Sequence, residues 1–207
     1  MIKAVGFDLD NTLYKVNDRM DNLIRNYIIT KASLILNRDV KEEFNNYFKE
    51  FQSGRRSLLA LGIKDAAELV QEALEKADIS LELKPDKELV SLLNDLSKVY
   101  TLYLITSSAE TEALKKLKAL NIDFNLFSIK LYNDCKYKRE DTTVFPYVAS
   151  LLELRVNELM FVGDREYVDI LPANKLGVIT AIVNAKSEHA TYELERIYDL
   201  RRILLKK

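Results

Sequence analysis

Cysteine, tryptophan, histidine, glycine and proline are scarce here: one Cys, no Trp, one His, five Gly and three Pro in 207 residues. A single cysteine excludes an internal disulfide framework and any zinc site built on several thiolates. It fits a reducing, cytoplasmic setting. Cys135 and His189 each lack partners in sequence, and both are read as structural. No apolar run approaches the ~18 residues that span a bilayer, so no membrane partner is expected. Asp8 and Asp10 interrupt the only apolar stretch near the N-terminus, which argues against a signal peptide. An excess of either charge is also missing. Lys and Arg number 31 against 32 Asp and Glu, a formal net charge of -1. No global basic field therefore draws the chain to nucleic acid or acidic membranes. There is no internal repeat and no low-complexity segment.

What is present is an ordinary soluble composition, 48% hydrophobic and 30% charged. The length suits one α/β domain with a smaller insertion. Residues 2–8 read as a buried strand, short, apolar and β-branched, that runs into Asp8-Leu9-Asp10-Asn11-Thr12. Side chains two apart in an extended chain point the same way, so Asp8 and Asp10 share one side of the strand end, with Thr12 near. Two carboxylates that close repel unless a cation or a proton sits with one of them. Either a metal site or a carboxylate pair split into nucleophile and acid follows.

Residues 16–83 hold no segment like a parallel-sheet strand and read as a small helical domain. Met20, Leu23, Ile24, Tyr27 and Ile28 recur at helical spacing, in a pattern that runs to about Leu36. A second helix fits Val40 to Phe51, with Phe44, Tyr47, Phe48 and Phe51 on one face. Residues 52–56 read as a polar break, followed by helical patterns at Ser57–Leu61 and Lys64–Ala77. Lys84-Pro85-Asp86 marks a boundary, with Pro suited to the first turn of a helix reaching about Ser97. Strand and helix then alternate. Strands are expected at 99–106, 126–130, 158–162, 178–183 and near 192–194, and helices at 110–120, 142–152, 169–176 and from 199. Such alternation implies a doubly wound, mostly parallel sheet built from residues 1–15 and 84–207.

In an open parallel sheet the ligand binds beyond the carboxyl ends of the strands. The polar groups at those ends are Asp8/Asp10/Thr12, Thr106/Ser107/Ser108, the cluster at 136–141, and Asp164/Asp169. Carboxylates with few neutral ligands favour Mg²⁺, which commonly shares substrate phosphate. A carboxylate nucleophile, a divalent cation and a cationic clamp are the parts that phosphoryl transfer requires.

The chain resembles the haloacid dehalogenase-like superfamily, most of whose members are Mg²⁺-dependent phosphohydrolases on a Rossmann-like core. Asp8-Leu9-Asp10-Asn11-Thr12 is similar to its first motif, Leu104-Ile105-Thr106-Ser107 to the second, and Gly163-Asp164 with Asp169 to the fourth. The helical block at 16–83 falls where that superfamily inserts a cap. Asp10-Asn11-Thr12-Leu13-Tyr14, residues 47–51 and residues 83–86 are also similar to short segments of the pyrimidine 5′-nucleotidase branch. The resemblance implies that Asp8 attacks phosphorus, and that Asp10 protonates the leaving group and then activates water. It further implies that Thr106 and Ser107 bind phosphoryl oxygens. Mg²⁺ would be held by Asp8, the backbone carbonyl of Asp10 and Asp164, with Asp169 as a ligand or in support.

The third motif departs from the family. Counting back from Val144-Phe145 reaches Arg139, whereas residue type favours Lys138, and Lys136 is also close. Arg165 stands where many relatives carry Ser. Arg55 and Arg56 suit either the surface or a substrate anion, and the Phe44/Tyr47/Phe48/Phe51 stripe reads as cap core. The implied substrate is a small phosphorylated metabolite. A 2-haloacid dehalogenase would need no acid at Asp10. A phosphonatase would need a lysine over the substrate, for which Lys15, Lys31, Lys49 and Lys64 are candidates by type only, and a phosphomutase would keep a phosphorylated Asp8. A non-catalytic binding protein on this fold would be expected to lack one of the acidic positions.

Overall fold

Short runs of Val, Ile, Leu and Phe with few polar interruptions suit strands covered on both faces, and six segments pair into one sheet. They are β1 (Ala4–Phe7), β2 (Thr101–Ile105), β3 (Phe127–Leu131), β4 (Leu159–Gly163), β5 (Ile179–Val183) and β6 (Tyr192–Leu194). The order is β3-β2-β1-β4-β5-β6, and every pairing is parallel. This computed structural model describes residues 1–51, 53–139 and 141–205. The chain divides into two units, Met1–Lys15 with Leu83–Lys207, and Val16–Glu82.

Every residue of β1 and β4 is buried. Phe7 pairs with Leu104 on one side and Val162 on the other, so β1, β2 and β4 end level. The strand order reverses at β1, which is where an open α/β sheet opens a crevice at its carboxyl edge. Gly6 lets the centre close up. A Cβ at Gly6 would lie 2.0 Å from the Tyr103 ring, and the Tyr103 hydroxyl donates to the Met160 carbonyl at 2.8 Å.

The second unit is helical throughout. Its helices are α1 (Asp18–Leu36), α2 (Lys41–Phe51), α3 (Gly54–Ala60) and α4 (Ala66–Lys76), with a 3₁₀ turn at Ile79–Glu82. Phe44, Leu58, Ala32, Ala66 and Ala73 form its core. Tyr47 and Phe48 pack against that core, with Phe44 and Phe48 stacked at 6.1 Å. Gly54, Arg55 and Arg56 belong to a helix and not to a break, because the Ser53 hydroxyl accepts from the Arg56 N–H at 3.3 Å and starts α3 early. Gln52 lies outside the described residues. Both arginines are exposed.

In the sheet unit, α5 (Lys87–Ser97), α6 (Glu110–Ala119), α7 (Val144–Leu151), α8 (Leu171–Lys175) and α9 (Leu200–Leu204) flank the strands. Pro85 precedes α5 and is not in its first turn. The Asp86 carboxylate is the cap, accepting from the N–H groups of Glu88 and Leu89 at 3.0 Å each. Ahead of α8 the chain makes a π-helical turn, Glu166–Ile170, where an α-helix was expected from Asp169. That wider turn sets Asp169 against Gly163, where an added Cβ would meet the Asp169 Cβ at 2.4 Å. No helix among the described residues is long and apolar enough to cross a membrane.

Candidate active site

Asp8 leaves β1 buried, its N–H still bonded to the Val162 carbonyl at 2.9 Å. Asn11 then adopts a left-handed conformation (φ 59), which Asn tolerates better than most residues. The chain thereby turns at once after Asp10. The Asn184 side chain holds that turn, donating to the Asn11 carbonyl at 3.4 Å. Asp8 and Asp10, interchangeable in the sequence, acquire separate surroundings.

Asp8 joins a carboxylate cluster with Asp164 and Asp169, each offering an oxygen within 4.8 Å of the others. The Arg139 guanidinium lies 3.0 Å from Asp8 Oδ1 and 2.7 Å from Asp169 Oδ1, and donates to Ser107 Oγ at 2.8 Å. Arg165, nearly half exposed, comes within 4.0 Å of all three carboxylates. Burial pushes the Asp8 carboxyl up to about 7, with Arg139 opposing and Asp169 adding to the rise. Burial likewise lifts Asp164 to about 6, helped by Asp169. Asp169, fully buried, has both oxygens engaged, by Arg139 and by the Arg165 backbone N–H at 3.0 Å.

Asp10 faces a different set. Its carboxylate accepts from Lys116 Nζ at 2.8 Å and from Ser108 Oγ at 3.0 Å, and also from the Tyr14 hydroxyl. Burial alone would raise its pKa, but the Lys116 charge and the bonds from Lys116, Tyr14 and Ser108 bring it below the ordinary value. Burial and the Asp10 charge push the Tyr14 phenol up, so it stays a donor. The Asp10 side chain is outside the carboxylate cluster, so only its backbone carbonyl is available in the cation role read for it.

Thr106 continues β2, its N–H bonded to the Leu131 carbonyl at 2.9 Å and its buried hydroxyl accepting from the Ser108 N–H at 3.1 Å. Ser107 is exposed beside Arg139. The two third-motif candidates part company. Arg139 is buried among the carboxylates. Lys138 is exposed, with its ammonium donating to the Asn133 carbonyl at 2.6 Å. Lys138 lines a cavity of about 190 Å³ next to Thr106 and Ser107, and Lys136 turns to the Tyr137 ring, 4.8 Å from its centroid. The strand-end pattern did not single out Lys116, Tyr14 or Ser108 as partners of Asp10.

The donor set fits a hard divalent cation. Three carboxylates face two guanidinium groups, and Asp164 Oδ1 is a buried oxygen with no hydrogen-bond partner among the described residues. The buried Thr12 Oγ1 also has none. Such atoms are costly to leave unpaired, and a cation held by the carboxylate cluster would satisfy the one on Asp164.

The profile of the haloacid dehalogenase-like hydrolases matches residues 2–177. The chain belongs to this family of hydrolases. It is 26% identical to a glyceraldehyde 3-phosphate phosphatase of Methanocaldococcus jannaschii over 97% of this chain and 96% of that one. It is 27% identical to another of that name from Methanopyrus kandleri, over 87% of this chain and 83% of that one. The fold is similar to that of a HAD phosphatase from Thermococcus onnurineus, with a TM-score of 0.71, 22% identity and 98% coverage of each chain.

Proposed function

We propose that this hydrolase is a Mg²⁺-dependent phosphatase acting on a small phosphate monoester, with glyceraldehyde 3-phosphate or a similar three-carbon phosphate as substrate. The observation that carries the reading is the division of labour at the end of β1. Asp8 lies within a carboxylate cluster suited to a cation, beside Arg139, while Asp10, two residues on, is held apart by Lys116, Ser108 and Tyr14. The family match supports the chemistry, and the names of the two archaeal relatives support the substrate.

An Asp8 oxygen attacks phosphorus, forming an aspartyl-phosphate as the bond to the leaving oxygen breaks. Asp10 delivers a proton to that oxygen, then takes one from the water that attacks phosphorus and frees Asp8. Asp10 gives its proton to the leaving oxygen in the first half and regains one from the attacking water in the second, and its resting surroundings favour the base. Thr106, Ser107 and Arg139 orient the phosphoryl oxygens, with Arg139 balancing their charge. Asp8, Asp164 and the Asp10 carbonyl would hold Mg²⁺, with Asp169 supporting Arg139 and the loop. When bound, the cation neutralises charge on the phosphoryl group. The helical unit at 16–82 would then serve as the cap that selects the leaving group.

Turnover of glyceraldehyde 3-phosphate by wild type and Asp8→Asn, each with Mg²⁺ or with chelator, tests the reading. Loss of the nucleophile should cost about 10⁴-fold or more, and chelation should abolish activity. Equal rates in the two proteins, or indifference to chelator, would contradict it. Pyrimidine 5′-nucleotides are the second substrate class to assay, on the strength of the short local resemblances.

A further inference from the structure

The chemistry proposed above needs the Asp10 carboxylate in one place, and the residue that best explains its placement lies outside the strand-end loops. Lys116 is on α6, two turns along the helix, and only 3% exposed. Its Nζ is 2.8 Å from Asp10 Oδ1 and 2.8 Å from Ser108 Oγ, which itself donates to Asp10 Oδ2 at 3.0 Å. Tyr14 closes the arrangement by donating to Oδ1.

A buried ammonium is costly to desolvate, and a lysine stem loses more rotamer freedom than most side chains on ordering. The same face of α6 carries Ala113 and Leu117 in the core. A methionine would fill the lysine's volume there without the desolvation cost, so packing alone does not account for the charge. What the charge does is visible in the bond pattern. Each carboxylate oxygen can accept about two hydrogen bonds. Among the described residues, Oδ1 receives two, from Lys116 and Tyr14, and is filled, while Oδ2 receives one, from Ser108.

We infer that Lys116 is a positioning residue of the reaction: with Tyr14 and Ser108 it locks Asp10 in one rotamer and reserves Oδ2 as the oxygen that exchanges protons with leaving group and water. The inference rests on the phosphatase reading. It adds a requirement for α6, through a residue that touches neither phosphate nor cation. Lys116 carries no proton through the reaction. It keeps Oδ1 occupied, so that the proton taken up or given by Asp10 is always on Oδ2.

The test is a double-mutant cycle between Lys116→Met and Asp10→Asn, read on an alkyl phosphate such as glyceraldehyde 3-phosphate with Mg²⁺ present. Misplacing a catalytic group by about 1 Å can cost about 10²-fold. Lys116→Met should therefore lower kcat by about that factor while KM stays within roughly 2-fold, and Lys116→Arg should recover part of the loss. In the Asp10→Asn background the same change should cost less than about 2-fold, because Lys116 acts only through Asp10. Tyr14→Phe and Ser108→Ala, each run against Asp10→Asn, give the same cycle if Lys116→Met does not fold. A purely structural lysine would lower activity by the same factor in both backgrounds, and that result overturns the inference. Wild-type kcat in Lys116→Met overturns it as well. Wild type without phosphatase activity would overturn the phosphatase reading, and the inference with it. That failure is seen before any variant is made.

Discussion

The Arg139 guanidinium and the Asp169 carboxylate are sealed from solvent together, 2.7 Å apart, at 3% and 0% side-chain exposure. Asp8 lies on the same guanidinium at 3.0 Å. Removing the cation strands two buried carboxylates, a change that typically costs about 3–5 kcal/mol. Arg139→Met should lose about that much unfolding free energy in urea at pH 7.5 with chelator present. Arg139→Lys keeps the charge but not the fork that also reaches Ser107, and should lose about 1–3 kcal/mol. Near wild-type stability in Arg139→Met would show that Asp8 and Asp169 are held by something else.

Protons should leave as the cation binds. Burial raises Asp8 to about 7 and Asp164 to about 6 from an ordinary 3.8. The folded, metal-free protein therefore holds more protons than the unfolded chain between those values. Its stability from these groups is full below 3.8 and is lost as pH rises through 6 to 7. Carboxylates must be ionised to ligate, so Mg²⁺ binding at pH 6 should release about one and a half protons, falling towards zero by pH 8.5. Calorimetric titration in two buffers of different ionisation enthalpy measures this. Equal heats in both buffers at pH 6 would rule the proton release out.

Far from the site, Glu158 ties the entry to β4 to the entry to β1. Its carboxylate accepts from Lys3 at 2.9 Å and from the Arg155 N–H at 2.9 Å, and these bonds bring it down to about 2 from an ordinary 4.5. Here the sign is opposite. The stabilisation is present above 4.5 and disappears as pH falls through 2. Glu158→Gln should thus lower the thermal midpoint at pH 6 and narrow its gap to wild type between pH 4.5 and 2. An unchanged gap across that window would show that the Lys3 pair contributes nothing.

Much of the site was legible because chemistry at sheet edges leaves a simple trace. Asp8, Thr106 and Asp164 each follow an apolar run, and parallel topology alone brings such ends together. Arg139 and Lys138 could not be told apart, because which one turns inward depends on the loop. There Thr142 bonds back to the Arg139 carbonyl at 3.0 Å from a left-handed backbone (φ 66) that its β-branched side chain disfavours. The π-turn around Asp169 was equally hidden, since its sequence carries no period that separates it from an α-helix.

Lys116 was missed for a different reason. Among Lys115, Lys116 and Lys118 it looks like one more solvated lysine. The trace was there, however: residues 113, 116, 117 and 120 lie on one helical face, and the other three are Ala, Leu and Leu. A lysine on an apolar face must bury its charge against something. The partner is 106 residues away in sequence, at Asp10, so no local pattern could have named it.

The proposed nucleophile, Asp8, is open to direct trapping. Wild type and Asp10→Asn can be quenched in acid during turnover of glyceraldehyde 3-phosphate with Mg²⁺. Borohydride then reduces any acyl-phosphate to an alcohol, and peptide mass spectrometry locates it. Homoserine should appear at position 8 in both proteins, and none should appear in Asp8→Asn. An unmodified Asp8 during steady turnover, or the label on a different carboxylate, would contradict an aspartyl-phosphate at this position.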